Sequence, residues 1–121
     1  FERVVSVESA AESHAWAVRN AAGSGRISAV HEDVARFLRR EKERPDLILV
    51  DPPRAGLALD VSEGIAAASP GRVCYLSCDP VTFSRDAFRL ARHGWTLASV
   101  DLIDLFPNTH HIETLASFER A

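Results

Sequence analysis

The chain has 121 residues, 46% hydrophobic and 26% charged, with a formal net charge of -3. That length and apolar share predict one domain around one core and exclude a disordered chain. The acid excess excludes a compact, strongly basic nucleic-acid module, and no apolar run approaches the roughly 20 residues that span a bilayer.

Phe1-Glu2-Arg3 runs straight into a strand-like segment, which is not a signal-peptide pattern. Phe1 to Val7 reads as a short buried strand ending in acidic Glu8. Ser9 to Ala22 is Ala-rich and helical, with Ala11, Ala15, Val18 and Ala22 on one face, and Gly23-Ser24-Gly25 stops it. Arg26 to Val30 is a second short strand. Asp33 can cap a helix from Val34 to about Arg44, with Val34, Phe37 and Leu38 inward, and Pro45 breaks it. Leu47-Ile48-Leu49-Val50 is the strongest parallel-strand signal and ends in Asp51-Pro52-Pro53. A helix from about Val61 to Ser69 is ended by Pro70-Gly71, and Val73 to Leu76 is the next strand. Ser77-Cys78-Asp79-Pro80 is a turn into a helix reaching about His93, with Phe83, Ala87, Leu90 and Ala91 as its apolar face. Trp95 to Leu105 and Ile112 to Phe118 read as two final strands around Pro107-Asn108. Alternating strands and helices closed by two strands predict an α/β fold with a mostly parallel sheet and one antiparallel strand near the end.

In open α/β sheets, ligands bind beyond the carboxyl ends of the strands. Glu8, Asp51, Cys78 and the loop carrying Glu113 all fall at such ends. An acid at the position of Glu8 can hold two ribose hydroxyls, or it can be a helix-terminal charge. Asp33 can contact an adenine ring or simply cap its helix; capping is the simpler reading. In Asp51-Pro52-Pro53-Arg54, two prolines stiffen the loop and would hold Asp51 at the sheet edge. Cys78 stands at a strand-to-helix junction, where a helix N-terminus favours a thiolate, whereas Cys74 fits a buried, inert cysteine. A bridge between them is excluded because four extended residues separate their Cα atoms by roughly 13 Å. Two cysteines are too few for a disulfide scaffold and point to a reducing, cytoplasmic setting. His110 and His111 invite a metal, but neighbours in an extended chain point to opposite faces, so no metal site is expected. Glu113 begins a strand and suits either a general base or a solvated side chain.

Three motifs occur in order: Asp51-Pro52-Pro53-Arg54-Ala55-Gly56-Leu57; Tyr75-Leu76-Ser77-Cys78-Asp79-Pro80 with Thr82-Phe83-Ser84-Arg85-Asp86; and Asp104-Leu105-Phe106-Pro107 with His111-Ile112-Glu113. The ordered set resembles the RNA (uracil-5)-methyltransferase family, as does Val5-Ser6-Val7-Glu8 before an Ala-rich helix with Asn20-Ala21. The resemblance implies a Rossmann-like class I methyltransferase sheet and a reaction in which S-adenosyl-L-methionine methylates carbon 5 of a uridine in tRNA or rRNA. It implies Cys78 as the nucleophile at carbon 6 and Glu113 as the general base. It implies Asp51 at the uracil edge, and Glu8 and Asp33 at the cofactor's ribose and adenine, with Asp51 also near the cofactor. Arg54 could meet phosphate or a carboxylate. The target base must leave its stack to reach Cys78.

The family's first strand and glycine-rich loop belong before Phe1. Residues 1–121 therefore read as the C-terminal portion of a methyltransferase catalytic domain, expected to be inactive alone and prone to self-association through exposed sheet edges. Two other readings compete. An amino-group N-methyltransferase would carry an aromatic where Arg54 stands and would leave Cys78 and Glu113 idle. A non-catalytic α/β fragment would bind RNA or a partner.

Overall fold

A computed structural model describes residues 1–109 and 112–120. The chain folds as two compact units, Phe1–Glu41 and Lys42–Ala121.

In the first unit, β1 (Val4–Glu8) and β2 (Ile27–His31) pair in parallel, from Val4 opposite Ile27 to Glu8 opposite His31, with α1 (Ala11–Ala21) as the crossover. β1 is half-buried at best, and Phe1 is exposed, because this sheet has only two strands. The half-buried positions of α1 are His14, Ala17 and Ala21, not the Ala11, Ala15, Val18 and Ala22 face expected from the sequence. An alanine-rich helix has no steep apolar face. Its rotation follows its one inward ring, His14, which stacks on His31 at 5.0 Å, while Trp16 and Val18 stay in solvent. α2 (Val34–Arg40) ends earlier than expected, with Ala35 buried. Arg40 and Arg36 both pair with Glu32, and the Arg40 hydrogen bond holds the Glu32 carboxyl below its usual range.

In the second unit the strands are β3 (Leu47–Val50), β4 (Arg72–Ser77), β5 (Trp95–Ile103) and β6 (Glu113–Arg120), in the order β3-β4-β6-β5. β3 and β4 are parallel; β6 runs antiparallel to both neighbours and is the one antiparallel strand expected from the sequence. Val73 and Tyr75 of β4 and Ala116 and Phe118 of β6 are buried on one sheet face together with Ile65 of α3 (Leu59–Ala68) and Leu90 of α4 (Pro80–Arg92). The Phe83 ring meets Tyr75 edge-on at 5.5 Å. Strand alternation sends Cys74 to the other face, so it is half-exposed rather than buried as expected. Ser69 ends α3 in the left-handed conformation (φ 49°). Arg120 then ties the element ends together, donating to Ser69 Oγ, to the Ala66 carbonyl and to the His93 carbonyl. Ala91 is exposed, and the fully buried Asp86 joins the inward side of α4.

Candidate active site

The carboxyl ends of β3 and β4 and the start of β6 lie at one edge of the second unit's sheet. β3 ends with Val50 opposite Tyr75, and Asp51 follows it directly. The β4–β6 ladder ends with Ser77 opposite Thr114, both buried. Cys78 directly follows Ser77 and Glu113 directly precedes Thr114, so both adjoin this end of the ladder.

The turn around Cys78 is closed by its neighbours. The buried Ser77 hydroxyl accepts from the Asp79 N–H at 3.1 Å and donates to the Asp79 carbonyl at 3.0 Å, bridging across Cys78. Asp79 caps α4: its Oδ1 accepts from the Val81 and Thr82 amides, each at 2.9 Å. These amides, chiefly that of Thr82, hold the Asp79 carboxyl below its usual range, and the positive charge of Arg54 acts in the same direction. The first-turn amides are engaged by Asp79, which brings its own negative charge.

Sequence reasoning assigned no role to the residues that hold the loop after β3. Asp86 Oδ2 accepts from the Leu57 N–H at 2.7 Å and from the Tyr75 hydroxyl at 2.8 Å. Asp86 Oδ1 accepts from Arg85 Nε at 3.0 Å and from Arg89 at 3.2 Å. The available signal was a carboxylate on the apolar stripe of an amphipathic helix, three residues after Phe83 and four before Leu90.

Glu8 and Asp33 belong to the first unit and follow the same rule of strand ends. Glu8 closes β1, and its Oε1 accepts from the Ala10 N–H at 2.7 Å. Asp33 lies two residues beyond β2, and its Oδ1 accepts from the Arg36 N–H at 2.9 Å, which makes it the N-cap of α2. One carboxylate oxygen of each accepts a local backbone N–H. Asp51, Arg54, Cys78 and Glu113 belong to the second unit. Among the described residues no group of three or more His, Cys, Asp or Glu side chains could hold a metal. His110 and His111 lie outside the described residues. No helix among the described residues is long and apolar enough to cross a membrane.

The family profile tRNA (Uracil-5-)-methyltransferase matches residues 33–121. An RNA methyltransferase of Gloeobacter violaceus is 41% identical over 116 residues, covering 91% of this chain and 25% of its own length. The 23S rRNA (uracil(1939)-C(5))-methyltransferase RlmD of Shewanella sediminis is 40% identical over 120 residues, covering 96% of this chain and 27% of its own. Among solved structures, the tRNA (uracil-54, C5)-methyltransferase of Pyrococcus abyssi in complex with S-adenosyl-L-homocysteine superposes with a TM-score of 0.80 at 28% identity, covering 96% of this chain and 28% of that one. The chain thus spans about a quarter of the length of the curated relatives it matches.

Proposed function

The chain belongs to the tRNA (uracil-5-)-methyltransferase family, and from that premise we propose that it is the C-terminal portion of a catalytic domain that methylates carbon 5 of a uridine in RNA. S-adenosyl-L-methionine is the methyl donor in this reading, with Glu8 at the end of β1 meeting its ribose and Asp33, two residues beyond β2, meeting its adenine. The free thiols of Cys74 and Cys78 suit a reducing cytoplasm, where we place the enzyme.

The observation that supports the proposal is the register of β4 and β6: Ser77, just before Cys78, is opposite Thr114, just after Glu113, so both residues adjoin the same end of that ladder. Carbon 5 of uracil is a poor nucleophile. Cys78 Sγ, as thiolate, adds to carbon 6, and the displaced π electrons make carbon 5 and the ring oxygen an enolate. When bound, the cofactor's sulfonium supplies the methyl group that carbon 5 accepts. Glu113 removes the remaining carbon 5 proton; the carbon 6–sulfur bond then breaks, the 5,6 double bond returns and the thiolate is regenerated. Asp51 orients the uracil edge, next to the cofactor, and Arg54 of the same loop meets a phosphate of the substrate backbone. The target base is presented to this sheet edge out of its stack.

Glu113→Gln in the full-length enzyme leaves addition and methyl transfer intact but removes the proton acceptor. A covalent RNA–protein adduct, already methylated at carbon 5, should build up on denaturing gels with labelled RNA. Cys78→Ser should abolish both adduct and product. Normal turnover without adduct in Glu113→Gln removes Glu113 from the mechanism, and an active Cys78→Ser enzyme refutes covalent catalysis.

A further inference from the structure

Asp86 is a fully buried carboxylate whose partners come from three parts of the second unit: Leu57 in the loop after β3, Tyr75 in β4, and Arg85 and Arg89 in α4 itself. The arginines do not stop at Asp86. Arg85 Nη2 donates to the Ala55 carbonyl at 2.8 Å, and Arg89 Nη1 donates to the Leu57 carbonyl at 3.1 Å. Between these two anchored residues lies Gly56, with φ +76°, where a Cβ would collide with Asp86 Oδ2 and Arg85 Nη2. The loop backbone therefore rests directly on the charged cluster. Gly56 N–H also donates to the Pro53 carbonyl at 2.8 Å, closing the turn that carries Arg54.

Stability alone does not call for this arrangement. A buried ion cluster is often no more stabilising than apolar residues of similar volume, because desolvation offsets the attraction. What a fully satisfied cluster supplies is a single geometry. Here that geometry joins the Asp51–Leu57 loop to the helix that begins at the Cys78 turn. Resting on the reading of Asp51 given above, we infer that Asp86, held by Arg85 and Arg89, is a positioning residue that sets where Asp51 and Arg54 stand relative to Cys78.

Two measurements on the full-length protein test this. The first is trypsin cleavage at Arg54–Ala55, followed by mass spectrometry, which reports the anchoring of the loop without reference to activity. Asp86→Asn should speed that cleavage about tenfold, and Gly56→Ala, which pushes the backbone off the cluster while leaving every charge in place, should do the same. The second is a double-mutant cycle in kcat/KM for RNA methylation. Asp86→Asn should lower kcat/KM by about ten- to a hundredfold, but by no more than about twofold when Asp51→Ala is already present, because both changes remove one function. An unchanged cleavage rate in both loop variants overturns the clamp. The same fold-loss with and without Asp51→Ala overturns the positioning role and leaves Asp86 as structure only. If Asp86→Asn does not fold, Gly56→Ala is carried through the same cycle and read by the same criteria. A full-length protein that methylates no uridine, or whose Asp51→Ala variant keeps full kcat/KM, defeats the functional reading instead, while the cleavage result still stands or falls by itself.

Discussion

Tyr75 links the core of the second unit to its charge cluster: the ring is buried, and the hydroxyl donates to Asp86. Burial first, and the Asp86 hydrogen bond and charge second, raise its pKa far above the ordinary tyrosine value. The folded chain thus keeps a proton that the unfolded chain loses near pH 10. The stabilising contribution is full below that pH and is lost as pH rises above it, with a slope of up to about 1.4 kcal/mol per pH unit. Tyr75 is the single tyrosine of the 121 residues, so tyrosinate absorbance reports this hydroxyl alone. In an alkaline titration the absorbance should rise only together with loss of the helical signal. A normal titration near pH 10 with the fold intact would show that the hydroxyl is not held. The acid limb has the opposite sign. Asp79, lowered chiefly by the Thr82 amide, and Glu32, lowered chiefly by Arg40, stabilise the fold above the ordinary carboxylate range, and that contribution is lost as pH falls through their depressed values.

Among the elements, the junction of β3 and β4 is tight against backbone rather than side chains. The Arg72 N–H donates to the Asp46 carbonyl at 3.0 Å, and a Cβ on Gly71 would stand 2.8 Å from that same oxygen. Gly71→Ala must displace backbone rather than a side chain, and should destabilise the chain by about 1–3 kcal/mol in a denaturant titration; an unchanged midpoint would show that the strand start can yield. Gly71 was legible in the sequence only as half of a Pro-Gly stop. The strands themselves were legible because apolar runs bounded by Pro, Gly and Asp leave few alternatives, and Leu47–Val50 matches its run residue for residue. The Asp33 cap was legible too, since it precedes a helical pattern and accepts a first-turn amide, whereas the Asp79 cap lay unread inside a turn. The face of α1 was not legible, because alanine spacing does not encode which side meets a ring contributed from another strand. Nor was the hold on the Arg54 turn. Asp86 is 35 positions beyond Asp51 in the chain, and the contact exists only once α4 packs on the sheet.

For the whole molecule, the proposed methyl donor sets the sharpest demand. Glu8 and Asp33 can each add one hydrogen bond to it, and such bonds contribute only about 0.5–1.5 kcal/mol net. Two of them fall short of the roughly 4–15 kcal/mol of freedom lost on association. The 121 residues by themselves should therefore bind S-adenosyl-L-methionine weakly or not at all in a calorimetric titration. β1 and β3, each paired on one side, present strand edges that favour association, so light scattering should find species larger than a monomer. Micromolar affinity in a clean monomer would show that the cofactor contacts assigned at the N-terminus are wrong.

β6 comes last among the strands yet stands inside the sheet, between β4 and β5. A growing chain that has just released β5 has nothing to pair it with, since β4 is not its neighbour. The sheet must wait for Glu113–Arg120 to leave the ribosome, at a synthesis rate of about 5–20 residues per second. Only then can β5 and β6 zip into a hairpin and slide in beside β4. That late insertion also brings the strand that begins at Glu113 alongside the strand that ends one residue before Cys78, so a nascent chain has the thiol on its turn before it has that carboxylate nearby.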